Sequence, residues 1–140
     1  MKRYFFKKEQ RLLREEDFRG VLAHKCCAED SLVRLFACPN EEGYSRLGIS
    51  ISRKYGKAVL RNRRKRLARE AFRLSQHELP SGYDYLLIFP AKRSKKESAP
   101  AAAGIGLSTV RESLLRLAGI AVRRSRQKLN RETEDAFGER

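Results

Sequence analysis

No stretch of this 140-residue chain approaches the roughly 18 consecutive apolar residues that a membrane-crossing helix needs. Residues 1–14 are basic and lack an apolar run, so they do not read as a secretory signal. The only histidines, His24 and His77, stand far apart, and the acids fall mostly at helix starts and in the C-terminal tail. Asp17 and Asp84 could each meet a metal singly, but no pair stands at a ligand spacing. A self-sufficient nuclease, which clusters carboxylates or histidines around metal ions, is therefore not the expectation. Cysteine is scarce and odd in number: Cys26, Cys27 and Cys38. Adjacent cysteines rarely bridge each other, so reduced thiols in a cytoplasmic protein are expected. With His24 the three make a zinc set on paper, but the spacing matches no standard ligand pattern. Small apolar roles at a helix end and in a strand suit them better. No internal repeat is visible.

What the chain has in excess is positive charge. Thirty-two Lys and Arg face 17 Asp and Glu, a net charge of +15 with a pI near 10.3. Nucleic acid is the default partner of such a chain, and an anionic membrane surface the lesser alternative. The charge is concentrated in residues 53–73, where ten basic residues face the single acid Glu70, a local charge of +9. On a helical wheel Leu60, Leu67, Ala71 and Leu74 gather on one side, and Asn62, Lys65, Arg66, Arg69 and Arg73 on the other. A helix that buries one side and carries a dense basic stripe on the other is built to lie on a polyanion.

The rest of the chain reads as one small α+β domain over residues 1–122, with an apolar fraction of 41% sufficient for a core. Residues 1–13, with Tyr4, Phe5 and Phe6, are expected to be irregular. A short helix at 15–25 carries Phe18, Val21 and Leu22 on one side and three acids in its first turn. A strand at 32–38 alternates Leu32, Arg34, Phe36 and Cys38 with Val33, Leu35 and Ala37. After a turn at 39–43, a second strand at 45–52 sets Leu47, Ile49 and Ile51 against a small polar face of Gly48, Ser50 and Ser52. An antiparallel hairpin of the two is expected. The basic helix follows at 58–77. Residues 83–89 are apolar on nearly both faces, as an interior strand is. Residues 91–106 read as a flexible linker. A last helix is expected at 109–122, capped by Thr109 and Glu112, with a disordered tail at 123–140.

Residues 48–73, Gly-Ile-Ser-Ile-Ser-Arg-Lys-Tyr-Gly-Lys-Ala-Val-Leu-Arg-Asn-Arg-Arg-Lys-Arg-Leu-Ala-Arg-Glu-Ala-Phe-Arg, closely resemble the signature of the bacterial ribonuclease P protein component. That signature is an Arg-Asn-Arg helix preceded by a strand ending in Ser-x-Lys-x-x-Gly. The resemblance extends to Glu-Asp-Phe at 16–18, Leu-Phe-Ala-Cys-Pro-Asn at 35–40 and Gly-Tyr-Asp-Tyr at 82–85, and covers about residues 10–90. It implies an α-β-β-α-β-α order, with helices packed on one side of the sheet and a left-handed crossover at the basic helix. This is the arrangement of the second domain of a small-subunit ribosomal protein, and its handedness runs against the usual right-handed preference.

The resemblance also implies a function. In this family an RNA subunit with bound magnesium cuts precursor tRNA to free the mature 5′ end, and the protein is the accessory subunit of that endonuclease. No cofactor is expected on the protein alone, and no membrane partner. Lys54, Arg61, Asn62, Arg63, Lys65, Arg66 and Arg69 match the positions that bind the catalytic RNA, where the planar fork of arginine suits phosphate. Asn62 also suits a local hydrogen bond at the helix start. Phe18, Leu22, Phe36 and Ser50 match the cleft that holds the single-stranded 5′ leader. Unpaired bases stack on aromatic rings, although Phe18 and Phe36 each also suit a core position. Three features depart from the family. Leu22 replaces a second aromatic; Arg64 stands in an aliphatic position near the apolar side of the wheel, from which it would snorkel or reach RNA from the flank; and the 91–106 linker is long. The alternative is a general or ribosomal RNA-binding protein with no part in cleavage. A helix-turn-helix DNA binder is disfavoured, since no second helix lies a short turn from 58–77.

Overall fold

The computed structural model describes residues 4–91 and 105–138. After a 3-10 turn at Lys8–Gln10 come α1 (Glu15–His24), β1 (Cys27–Glu29), β2 (Arg34–Pro39) and β3 (Arg46–Ile51). A 3-10 turn at Arg53–Tyr55 leads into α2 (Ala58–Ser75), followed by β4 (Tyr83–Phe89) and α3 (Leu107–Gly138). The architecture is α+β, with a four-stranded mixed sheet in the order β1-β2-β4-β3.

β4 explains that order. Six of its seven residues are buried, so it needs a neighbour on each side and cover on both faces. β2 pairs with it antiparallel, from Arg34 opposite Ile88 to Pro39 opposite Tyr83. β3 pairs with it parallel, from Arg46 opposite Asp84 to Ile51 opposite Phe89. The expected hairpin of residues 32–38 and 45–52 is therefore absent: β4 lies between its two arms. The turn residues at 39–43 suit an arch over an inserted strand as well as a tight hairpin. α2 becomes the crossover between parallel neighbours β3 and β4. β1, antiparallel to β2, was not expected from the sequence; three residues are too few to show an alternation.

The two sheet faces are covered unequally. On one, Leu35, Ala37, Leu47, Tyr85, Leu87 and Phe89 pack with Ala68, Ala71 and Phe72 of α2 and Val110, Leu114 and Leu117 of α3. On the other, Leu86 packs with Val21 of α1 and Leu12, flanked by Phe18, Phe36, Cys38 and Ile88. The expectation that the helices share one side is thus corrected. β2 and β4 are apolar on both faces, and α1 crosses the face that α2 and α3 leave open. Having only one fully buried residue, Val21, α1 covers that face partially.

α2 is also rotated from the expected wheel. Its buried positions are Arg64, Ala68, Ala71, Phe72 and Ser75, while Leu60, Leu67 and Leu74 flank them half-buried. Small alanines let the helix approach the sheet closely, and Phe72 fills the space between.

α3 starts before the expected cap, so Thr109 lies inside the helix, and it continues through the segment expected to be disordered. Ser125 is fully buried, with its Oγ 2.8 Å from His24 Nε2. Lys128 Nζ donates to the His24 carbonyl at 2.6 Å. Those contacts hold residues 123–128 as helix, and the boundary expected at residue 122 does not exist. The expected linker at 91–106 lies almost wholly outside the described residues.

Candidate nucleic-acid interface

The loop between β3 and α2 is built by local hydrogen bonds. Ser52 Oγ accepts from the Lys54 amide at 3.1 Å, and the Tyr55 amide donates to the Ser52 carbonyl at 3.0 Å. Two arginines of α2 then fasten the loop from behind. Arg61 Nε donates to the Gly56 carbonyl and Arg64 Nε to the Tyr55 hydroxyl, both at 3.1 Å. Tyr55 in turn meets Phe89 edge-on, with centroids 5.9 Å apart. Arg64, expected to snorkel or reach RNA from the flank, is only 1% exposed. It is an interior strut, because Tyr55 supplies a polar partner beneath the loop. With the loop fastened this way, Lys54 stands exposed.

Asn62, Arg63, Arg66 and Arg69 are exposed along α2, and Lys65 and Arg61 are half-buried. Arg73 pairs with Glu70 through two contacts, which push the arginine pKa up and hold the Glu70 carboxyl below its usual range. The outward stripe from Asn62 to Arg69 carries no such acid.

Residues 4–13 are more ordered than the sequence implied. The Leu12 amide donates to the Leu47 carbonyl at 3.0 Å, extending the sheet at the free edge of β3. Phe6 packs on Phe72 with centroids 5.3 Å apart, and the Arg11 guanidinium lies 5.0 Å over the Phe6 ring. Arg73 and Gln76 donate to the carbonyls of Tyr4 and Phe5. The segment is a strap running from the end of α2 to the edge of β3. Its three clustered aromatics were the sequence signal, but they have no period to read.

On the α1 side, Phe18 lies half-buried over Gly48. A Cβ on Gly48 would stand 2.7 Å from Phe18 Cε1 and 3.0 Å from Leu12 Cβ. The smallness of that strand face is therefore what lets α1 approach. Phe36 joins the same apolar cluster. Ser50, two residues beyond Gly48 on the same face, is exposed, as is Leu22 at 42%. At the other end of β3, Arg46 grips Asp84 with two hydrogen bonds of 2.8 and 2.7 Å. Asn40 Nδ2 donates to the same carboxylate at 2.8 Å, and Asp17 of α1 stands 3.8 Å from Arg46. The Asp84 hydrogen bonds raise the Arg46 pKa. This network, unrecognised in the sequence, locks β3, β4 and the start of α1 together.

A cavity of about 180 Å³ joins the two regions. Lys65 and Arg69 line it from α2, Phe18 from α1, Ile49 from β3, and Phe6 and Arg11 from the strap. Cations and aromatic rings thus face one space at the edge of the sheet. Among the described residues no group of three or more His, Cys, Asp or Glu is placed to hold a metal ion, and no helix is long and apolar enough to cross a membrane.

This small α+β fold, a four-stranded mixed sheet with its helices, matches solved bacterial ribonuclease P proteins. The protein from Thermotoga maritima superposes with a TM-score of 0.64 at 35% identity, over 76% of this chain and 92% of its own. That from Staphylococcus aureus superposes with the same TM-score at 28% identity, over 80% and 94%. A curated relative, the ribonuclease P protein component of Clostridioides difficile, is 38% identical over 94 residues, 66% of this chain and 81% of the relative. The Ribonuclease P family model matches residues 6–104. The chain belongs to the ribonuclease P protein family.

Proposed function

We propose that this protein is the accessory subunit of a ribonuclease P, binding both the catalytic RNA and the 5′ leader of precursor tRNA to promote removal of the leader. The observation that carries the reading is the shared cavity: Lys65 and Arg69 of the basic stripe line the same space as Phe18. A phosphate chain on α2 and an unpaired base on the α1 side can then be held together.

The exposed stripe of Asn62, Arg63, Arg66 and Arg69, with Lys65 and the loop residue Lys54, offers donors to phosphate oxygens of the catalytic RNA. Arg61 contributes from the first turn, where it also fixes the loop. The leader lies across the partly covered face, with Phe18 and Phe36 as stacking rings, Ser50 as hydrogen-bond partner and Leu22 as an apolar rim. Leu22 offers contact but no π-face, so stacking is confined to the two rings. The chemistry and its magnesium ions belong to the RNA in this reading. The work is done in the cytoplasm, in keeping with three free cysteines.

Replacing Lys65 and Arg66 with Gln tests the RNA-binding half. Affinity for the catalytic RNA falls, and the slope of log affinity against log salt becomes shallower by about one phosphate's worth per residue. Unchanged affinity and slope in a titration would refute it.

A further inference from the structure

The distal half of α3 lies outside residues 6–104, the span matched by the family model, and carries a second concentration of charge. From Ser113 to Arg131 the helix contains no acid and six basic residues. Three of these have work inside the fold. Arg116 pairs with Asp30 at 2.6 Å, Arg124 donates to the Cys27 carbonyl, and Lys128 to the His24 carbonyl. The latter two contacts, with buried Ser125, fix this part of the helix against the end of α1 and the start of β1. The other three, Arg123, Arg126 and Arg131, are exposed, and no hydrogen bond or ion pair holds them among the described residues. At about 100° per residue all three lie 100° or more around the helix from Ser125. Gln127 and Asn130, also exposed, share that outer side.

Over about 12 Å of helix this surface offers three cations and two side-chain amides, with no aromatic ring, and Glu134, exposed one turn beyond Arg131, bounds it. It suits the phosphates and 2′-hydroxyls of a duplex rather than unpaired bases, which call for stacking platforms. It sits by β1, the sheet edge opposite β3.

We propose that Arg123, Arg126 and Arg131 form a second RNA-binding surface that grips the backbone of a duplex segment of the catalytic RNA. Two basic surfaces on one rigid domain would hold that RNA at separated points, the second attachment being effectively intramolecular. The proposal rests on the ribonuclease P reading, but on none of the α2 residues.

The test uses the full chain with Arg123, Arg126 and Arg131 all replaced by Gln, and a second variant with all three replaced by Lys. Each is titrated with the catalytic RNA of the same organism and, separately, with precursor tRNA, over a range of salt. The Gln variant should melt as the wild type does. Its salt slope for the catalytic RNA should fall by about 2 to 3, and the Lys variant should keep most of the wild-type slope. Three results overturn the proposal: an unchanged slope with the catalytic RNA, a loss confined to precursor tRNA, or an equal loss in the Lys variant. A Lys65→Gln/Arg66→Gln protein run alongside separates the two claims. If it binds normally while the Gln variant at α3 does not, the α2 assignment fails and the α3 surface stands.

Discussion

Neighbouring arginines on α2 do different work, and their partners decide which. Arg63 is exposed, whereas Arg64 is sealed under the loop and donates to Tyr55. Arg64→Ala should cost about 2–4 kcal/mol, by leaving a cavity and removing the partner of the Tyr55 hydroxyl. Arg63→Ala should change stability by no more than about 0.5 kcal/mol yet weaken RNA binding. Paired thermal melts and RNA titrations check the contrast; equal melting losses would contradict it. Gly48 and Phe18 form a second residue-scale contrast. Gly48→Ala drives a methyl against the Phe18 ring and should destabilise by about 1–3 kcal/mol. Phe18→Ala should selectively impair cleavage of substrates carrying a leader. If it slows leaderless substrates equally, Phe18 is only core. The basic stripe was legible in the sequence because charge recurred with the helical period. The burial of Arg64 was not, because its partner lies nine residues earlier in a loop with no period.

At the scale of elements, β4 could be read from the sequence and its neighbours could not. Residues apolar on both faces identify an interior strand, but nothing in the turn at 39–43 says that a strand arriving forty residues later will insert between its arms. The same two-faced apolarity of β2 and β4 required a helix on each side, a consequence the alternation contained but the family resemblance obscured. The distal part of α3 escaped because Ser125 is its one buried residue among residues 123–135, and a lone serine makes no apolar stripe. The turn between β1 and β2 holds α3 from its other end. Asp30 accepts from the amides of Leu32 and Val33 and from Ser113 Oγ, and pairs with Arg116. Burial pushes its pKa up, but these hydrogen bonds and the arginine outweigh burial and leave it below the ordinary value. A carboxylate lowered on folding contributes stability that is present above its unfolded pKa and lost as pH falls through the folded one. Asp30→Asn should therefore lower the melting temperature at neutral pH and narrow the gap from wild type as pH falls below about 4. Melts across that range check it; a constant gap would show that Asp30 acts without titrating.

At the scale of the whole molecule, the sheet separates two kinds of surface, and the strap at residues 4–13 brings them to one edge. The Arg46–Asp84 pair fixes α1 at one end of β3, and the fastened loop fixes α2 at the other. The basic helix and the aromatic face are thus held in fixed relation, which an accessory subunit bridging an RNA and its substrate requires. A general RNA-binding protein needs only the basic helix. The measurement that separates them most directly is cleavage of precursor tRNA by the catalytic RNA of the same organism at low magnesium, with and without this protein, over a series of leader lengths. The expected result is a large gain in cleavage from the protein with a long leader, shrinking as the leader is shortened. A gain independent of leader length, or tight RNA binding with no gain, would contradict it.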